Sequence, residues 1–522
     1  MESRHLEALL DSSAYDEPTA SVVLLQTHVS FLFLTDKFVY KIKKPVDFGF
    51  LNFVTLDRRR FYCEEEVRLN RRLCPDMYLG VVEVRESPAG VRLYGQGTII
   101  DYAVKMKRLP SEKMLDRLLE EDGVSTDDIR EIARTIGTFH LRAERSREID
   151  SYGSLEVIRR NWMENFSQVE PFLSCTLSAT DLQFIRQWVE SYLDAHGDLF
   201  AERVAHGFIR DCDGDIHSEN ICLADQVYIF DCIEFNARFR FSDTASDLAF
   251  LLMDLEYRNR RDLAELLLHE YCVATGDRSL TGVLDFYLVY RAFVRGKVES
   301  FRLDDPQIDD EAKERARKSA RRHFRLACGY IGRRNLPPVL VAFSGLMGAG
   351  KSTLARELSF QLGLEQLRSD ILRKTLGGLS TATRCQDAFN QGIYSPEFTR
   401  KTYREMFRRA EDLLKSGRGV ILDASFARKV DRAEAADLAR RLGVRFHLFH
   451  SWCPDSVVRE RLEDRMSDVR EVSDGRWELY FQQKNDFEPL ESACESWDEI
   501  DTSLPVEENL ERIVSLVEGR ES

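Results

Sequence analysis

Two sets of residues in this chain are spaced for handling phosphate. The first is GLMGAGKS at 345–352, preceded by the apolar run Val339–Phe343 and followed by the helix-like LARELSFQL. Glycines in a G-x-x-x-x-G-K-[ST] pattern let the backbone turn its N–H groups inward at a helix N-terminus, where they cradle phosphate oxygens. Gly345, Gly348, Ala349, Gly350, Lys351, Ser352 and Thr353 are therefore expected to hold a nucleotide, with Lys351 on the β- and γ-phosphates of ATP and Ser352 on Mg²⁺. The second set lies in DCDGDIHSENICLADQVYIFDCIEF at 211–235. Asp215 and Asn220 are separated by four residues, and the apolar run Val227–Phe230 then delivers Asp231. An Asp, an Asn and a strand-end Asp in this order supply a general base for a hydroxyl (Asp215) and two oxygen ligands for Mg²⁺ (Asn220 and Asp231).

Each set needs companions. For the first, the strand Gly419–Leu422 ends in Asp423, where a carboxylate beside the P-loop can hold Mg²⁺ through water. The competing reading makes Asp423 or Ser425 the N-cap of the next helix. Arg368-Ser369-Asp370 falls where a second strand should end, which makes Asp370 the expected general base, with Arg373 orienting the substrate. A capping Asp is the alternative there. Arg459, Arg461 and Arg465 share a helix, with Arg476 beyond it in SDGR; arginines so placed close over phosphates as a lid, and Arg465 is the one assigned to the nucleotide.

For the second set, strand alternation in FVYKIKKPV at 38–46 puts Val39, Lys41 and Lys43 on one face. Lys41 fits the phosphate-pairing position, with Lys43 in reserve. The helical run Leu56–Leu73 places Glu66 beside Cys63, Val67 and Asn70, facing Lys41, and Glu65 competes for that role. The turn Gln26–Ser30 (QTHVS) has no glycine, so nucleotide contacts there must differ from those of a Gly-rich loop.

The elements that must position these residues read as follows. Val22–Gln26, Val29–Thr35, Lys37–Lys43, Val91–Leu93 and Thr98–Met106 are expected strands. Helical spacing dominates from Ser111 to Ala205, a β-rich patch spans Ile209–Cys232, and helices resume from Ser246 to Ile331. RRNLPP at 333–338 ends one helix and prevents another, and a β–loop–α–β alternation follows, the mark of a parallel sheet. The expected architecture is α/β and α+β multidomain: a bilobal, protein-kinase-like domain over 1–335, then a P-loop NTPase domain with a parallel sheet over 336–522. The basic run Lys313–Arg325 reads as a solvated helix face.

At 522 residues the chain is too long for one core, and its 43% apolar and 31% charged residues are those of a globular protein. A formal net charge of −15 argues against a nucleic-acid partner held by a broad positive field. The eleven cysteines form no metal or disulfide pattern and read as reduced thiols. The N-terminus lacks an apolar signal core and no segment reads as a membrane span, so a cytoplasmic protein with no membrane partner is expected.

The C-terminal motifs, GLMGAGKS, LRSDILRK, VILDASF and SDGR, resemble P-loop kinases that share a fold with gluconate kinase, shikimate kinase and the polynucleotide 5′-kinases. Asp213–Asn220 followed by Asp231 is similar to the H-G-D-x-H-x-x-N motif of the aminoglycoside phosphotransferase and choline kinase group. IARTIGTFH at 132–140 and FSDTASDLAFLLMDLE at 241–256 continue that match. The family's first His is Asp213 here, a change expected to affect rate more than identity. In this order, the whole chain resembles the bacterial proteins called bifunctional aminoglycoside phosphotransferase/ATP-binding protein. The resemblance implies two ATP–Mg²⁺-dependent kinase domains passing the γ-phosphate to small-molecule hydroxyl acceptors. Two other activities fit the same motifs: an ATP-binding regulatory protein that uses nucleotide as a switch, and a nucleic-acid end kinase in the C-terminal half.

Overall fold

The computed structural model describes residues 1–49, 51–88, 90–305, 308–379, 392–467, 477–491 and 496–519. By contact the chain forms two compact units, Met1–Glu164 with Tyr192–Arg291, and Asn165–Ser191 with Ala292–Ser522.

The first unit opens with an antiparallel sheet of β1 (Val23–Gln26), β2 (Ser30–Leu34), β3 (Phe38–Lys43), β4 (Tyr78–Ser87), β5 (Gly90–Leu93) and β6 (Thr98–Lys107), in the order β1-β2-β3-β6-β4-β5. Alternation in β3 sorts its two faces. Tyr40 and Ile42 enter a core with Phe33, Val84 and Ala103. Val39 packs on the other side, where Cys63 and Val67 of the helix Leu56–Asn70 meet Tyr78, Val104 and Met106. That helix is capped by Thr55 and stops at Asn70, short of the expected Leu73. The longest strands are β4 and β6, and β4 has no counterpart in the sequence reading.

Helices then dominate the unit, interrupted by four short strands. β7 (Ile209–Asp211) pairs with β10 (Phe241–Asp243), and β8 (Ile221–Leu223) forms a hairpin with β9 (Val227–Ile229). The helix Thr244–Tyr257, which follows β10 directly, is buried along nearly its whole length.

The second unit is built on a parallel sheet of β11 (Val339–Ser344), β12 (Glu365–Arg368), β13 (Val420–Asp423), β14 (Arg445–Trp452) and β15 (Asp498–Asp501), in the order β12-β13-β11-β14-β15. All six residues of the central strand β11 are buried, as expected of a sheet covered on both faces. The helices Pro396–Lys415 and Lys429–Leu442 cover one face, while Lys351–Leu362 and Val506–Glu518 cover the other.

The helix Asp310–Asn335 also belongs to this unit, ahead of the RRNLPP boundary expected for the two domains. It crosses the helix Lys351–Leu362 so closely that a Cβ on Gly329 would lie 2.0 Å from the Phe360 carbonyl oxygen. Its basic run is solvated only in its first part, where Arg315 and Lys318 are exposed; further on it packs against neighbouring helices. Arg325 donates to Glu357 at 2.8 Å and to Glu507 at 3.4 Å, Arg321 lies 3.3 Å from Glu507, and Arg322 sits over the Phe360 ring. These acidic partners lie on neighbouring helices, out of sight of the run's own sequence.

Nine cysteines among the described residues are free thiols. No described helix is long and apolar enough to cross a membrane.

Candidate active sites

In the first unit, β3 and the helix Leu56–Asn70 bring Lys41 and Glu66 together, with Lys41 Nζ 2.9 Å from Glu66 Oε1. Lys41 Nζ also lies 2.5 Å from Asp231 Oδ1, joining residues 190 positions apart in sequence. Glu66 is fully buried; burial pushes its carboxyl up, but the ammonium groups of Lys41 and Lys43 outweigh this and hold it down to about 2. Glu65 faces away and pairs with Arg68 at 2.8 Å, and Lys43 is more deeply enclosed than Lys41, with 1% of its side chain exposed against 13%.

Asp231 follows β9 in a left-handed conformation (φ 67°), which is strained for a residue with a Cβ. Its backbone N–H donates to the Tyr78 hydroxyl at 3.2 Å, and the next N–H, of Cys232, donates to Asn70 Oδ1 at 2.9 Å. Asn220 Nδ2 donates to Asp215 Oδ2 at 3.1 Å, and the Phe230 N–H donates to the Asn220 carbonyl at 3.1 Å, which sets Asn220 beside the Asp231 segment. His217 Nε2 lies 3.5 Å from Asp215 Oδ2. Asp215, Asn220, Asp231, Lys41 and Glu66 thus form one linked constellation.

Two residues that sequence reasoning missed hold the Asp215 loop. Asp247 accepts the backbone N–H groups of Asp213 (3.0 Å) and Gly214 (2.8 Å), and its Oδ2 lies 3.1 Å from His140 Nε2. One helical face further along, Asp254 accepts the Ser218 N–H at 2.9 Å. The signal was present: two aspartates spaced by two helical turns in an otherwise apolar, buried helix need partners. Asp213, at the family's His position, is buried and accepts the Asp215 N–H at 3.2 Å. Burial and the neighbouring Asp247 raise its carboxyl well above the usual range.

In the second unit the P-loop joins β11 to the helix Lys351–Leu362. Gly345 has φ 137°, and a Cβ there would lie 2.2 Å from the Ser451 carbonyl oxygen, so only glycine fits. Gly350, with φ 75°, caps the helix on which Lys351, Ser352 and Thr353 begin. Lys351 Nζ donates to the Leu346 carbonyl at 2.7 Å, across the loop. Gly348 and Ala349 complete the turn, with Gly348 packed so that a Cβ would meet Val458 at 2.7 Å.

Ser352 Oγ donates to Asp423 Oδ1 at 3.0 Å, and Gln366 Nε2 donates to Asp423 Oδ2 at 3.0 Å. Asp423 sits in register with Phe343 of β11 and Arg368 of β12, at the strand ends facing the P-loop. It caps no helix, since the next begins at Lys429 with Arg428 at its cap. Burial pushes its carboxyl up against the pull of Arg368 and Lys351. Asp370 occupies the first turn of the helix Ser369–Leu376, whose cap is Arg368, and so is not the capping residue.

The arginines take different places from those expected. Arg373 is buried and donates to the Ile393 carbonyl (2.8 Å) and Thr399 Oγ1 (2.9 Å), bracing that segment. Arg461 clamps Thr502 at 2.6 and 3.0 Å under the P-loop, and Arg459 pairs with Glu463 at 2.7 Å. The Arg465 side chain and Arg476 lie outside the described residues. A histidine not singled out in the sequence, His450 of β14, is placed opposite Ser344 in the β11 register, against the Phe487 and Trp497 rings. Burial, then Lys351 and Arg432, hold its imidazole down to about 4.

Both donor sets suit Mg²⁺, a hard cation that prefers carboxylate, amide and hydroxyl oxygens. Asn220 turns its amide nitrogen toward Asp215, leaving an amide oxygen and the Asp231 carboxylate as donors in the first unit. Ser352 and Asp423 supply a hydroxyl and a carboxylate in the second.

A Gly-built phosphate loop at the centre of a five-stranded parallel sheet defines a P-loop nucleotide-binding domain. Residues 340–490 match the model of a family described as AAA domain. Over 425 residues the chain is 32% identical to the uncharacterized protein Rv2004c of Mycobacterium tuberculosis, covering 81% of this chain and 82% of that one. The chain belongs to the family of that mycobacterial protein. Among solved structures, a choline/ethanolamine kinase family protein from Mesorhizobium loti is 14% identical, with 61% of this chain and 97% of that one covered and a TM-score of 0.35. A sugar kinase from Janibacter is 22% identical, with 34% and 94% covered and a TM-score of 0.27.

Proposed function

We propose that this protein is a double phosphotransferase, in which each half, 1–335 and 336–522, binds ATP with Mg²⁺ and passes the γ-phosphate to the hydroxyl of a small molecule. The observation that carries the reading is the Lys41 ammonium, 2.9 Å from Glu66 and 2.5 Å from Asp231. A lysine so placed offers one positive charge to nucleotide phosphates, fixed by a helix carboxylate, beside a second carboxylate for the metal.

In the N-terminal half, Asp215 takes the proton of the acceptor hydroxyl, and Asn220 and Asp231 hold Mg²⁺. In the C-terminal half, the backbone of Gly345–Gly350 and Lys351 cradle the phosphates, Ser352 and Asp423 hold Mg²⁺, and Asp370 takes the acceptor's proton. When bound, Mg²⁺ neutralises charge on the phosphate oxygens and orients them for in-line attack. The acceptor is a small polar molecule and not a nucleic acid, in keeping with the net charge of −15.

The test is transfer of labelled γ-phosphate from ATP into a soluble metabolite extract by wild type, Asp215→Ala and Lys351→Ala. A labelled small molecule lost with one substitution assigns a reaction to that half and supplies its acceptor. Tight ATP binding with no labelled product from any version sinks the proposal and leaves a nucleotide switch in its place.

A further inference from the structure

The reading of the N-terminal half uses Lys41, Glu66 and Asp231 but leaves two buried charges beside them without a task. Lys43 donates to Glu66 Oε2 at 2.6 Å and also to Glu234 Oε1. All three side chains are nearly closed to solvent, with 1% of Lys43, none of Glu66 and 7% of Glu234 exposed. Buried charges on this scale are costly unless their pairing is complete, and removing one partner strands the other.

The arrangement divides one carboxylate between two lysines. Glu66 gives Oε1 to Lys41 and Oε2 to Lys43. Lys41 also has Asp231, but without Glu234 the deeper Lys43 would have Glu66 as its sole carboxylate partner and would draw it away from Lys41. Glu234 removes that competition by supplying Lys43 with a carboxylate of its own. It also stands three residues beyond Asp231 on the same segment, so the Lys43 contact ties that segment directly to β3.

We propose that Glu234, acting through Lys43, is a positioning residue of the N-terminal site: it keeps Glu66 shared with Lys41. The inference rests on the nucleotide-binding reading of that half.

The test uses the full chain carrying Lys351→Ala, so that nucleotide bound is bound by the N-terminal half, and titrates Mg²⁺ with a non-hydrolysable ATP analogue by calorimetry. Glu234→Gln and Lys43→Met are each expected to weaken binding by about tenfold, a coupling within the range for residues of one charge network. The double variant Lys43→Met/Glu234→Met removes both charges together, leaves Glu66 to Lys41 alone, and is expected to bind within about threefold of the Lys351→Ala parent. A merely structural pair would lower the melting temperature without this recovery of affinity. Unchanged affinity in Glu234→Gln, or a double variant as weak as the product of the singles, overturns the inference. If the Lys351→Ala parent binds no analogue at all, the nucleotide reading of this half fails, and the positioning role fails with it.

Discussion

The two candidate sites are built of different materials. The C-terminal site is made largely of backbone, with a loop of glycines ahead of a helix and one carboxylate at the end of a neighbouring strand. Its tightest requirement is steric, a Cβ-free Gly345 packed against the Ser451 carbonyl. The N-terminal site is made of side chains gathered from β3, a helix, a loop and a strand end, and its requirement is electrostatic. Lys41, Lys43, Glu66 and Glu234 form a largely buried charge network that opens to solvent at Asp231. A backbone site tolerates change around it and fails when its glycines change. A side-chain network is distributed, and fails wherever one partner leaves another buried and unpaired.

The largest effects should come from breaking each site at the part it depends on. Asp231→Ala removes the proposed metal ligand and one partner of Lys41, and is expected to lower phosphate transfer by the N-terminal half at least about a thousandfold, with the C-terminal half unaffected. Labelled-product assays on the two acceptors separately would check this, and equal losses in both halves would erase the distinction. Gly345→Ala should weaken nucleotide binding by the C-terminal half about a hundredfold, because the new methyl must displace the Ser451 carbonyl and the backbone resists its φ of 137°. Calorimetry in an Asp231→Ala background reads that loss alone.

A step smaller is Asp247→Ala, which touches no substrate. It strips the acceptor from two backbone N–H groups of the Asp215 loop and one of two partners from the His140 ring. The expected cost is about 3 kcal/mol or more of stability in the first unit, read by denaturant unfolding. A loss under about 1 kcal/mol would show that the loop is held by other means.

How legible each site is in the sequence follows from the same contrast. GLMGAGKS is contiguous, and its setting between a buried strand and a helix is visible locally, so the P-loop and Asp423 at the end of β13 fell where the pattern put them. In the first unit the pairing of Lys41 with Glu66 was readable, because strand alternation and helix spacing each choose a face. What could not be read was Glu234: a side chain three residues past a motif gives no sign that it will meet a lysine 191 positions away. Arg373 and Arg461 misled for a related reason. An arginine near a phosphate motif carries the same letter whether it faces the ligand or braces a loop, and only the Ile393 and Thr502 carbonyls decide. The later part of the basic run at 313–325 was illegible for the same reason, its acidic partners Glu357 and Glu507 lying on separate helices.

The smallest effect, and the one that compares the two halves most directly, is their order of response to acid. His450 in the C-terminal unit is held down from 6.5 to about 4, so the fold favours its neutral form. Its stabilising contribution is present above its unfolded value and is lost as pH falls from about 6.5 toward 4. Glu66 in the N-terminal unit is held down from 4.5 to about 2, so its contribution persists until pH falls below about 4.5 and is lost toward 2. Acidification should therefore loosen the C-terminal unit first. Melting wild type beside His450→Phe and Glu66→Gln at about pH 7, 5.5 and 4 separates the two windows. The stability gap between wild type and His450→Phe should shift in favour of the variant across this range, while the gap to Glu66→Gln holds until the acid end. If both gaps move together, the charge network around Glu66 is more open to solvent than the geometry shows, and the contrast between a backbone-built and a charge-built site loses its electrostatic half.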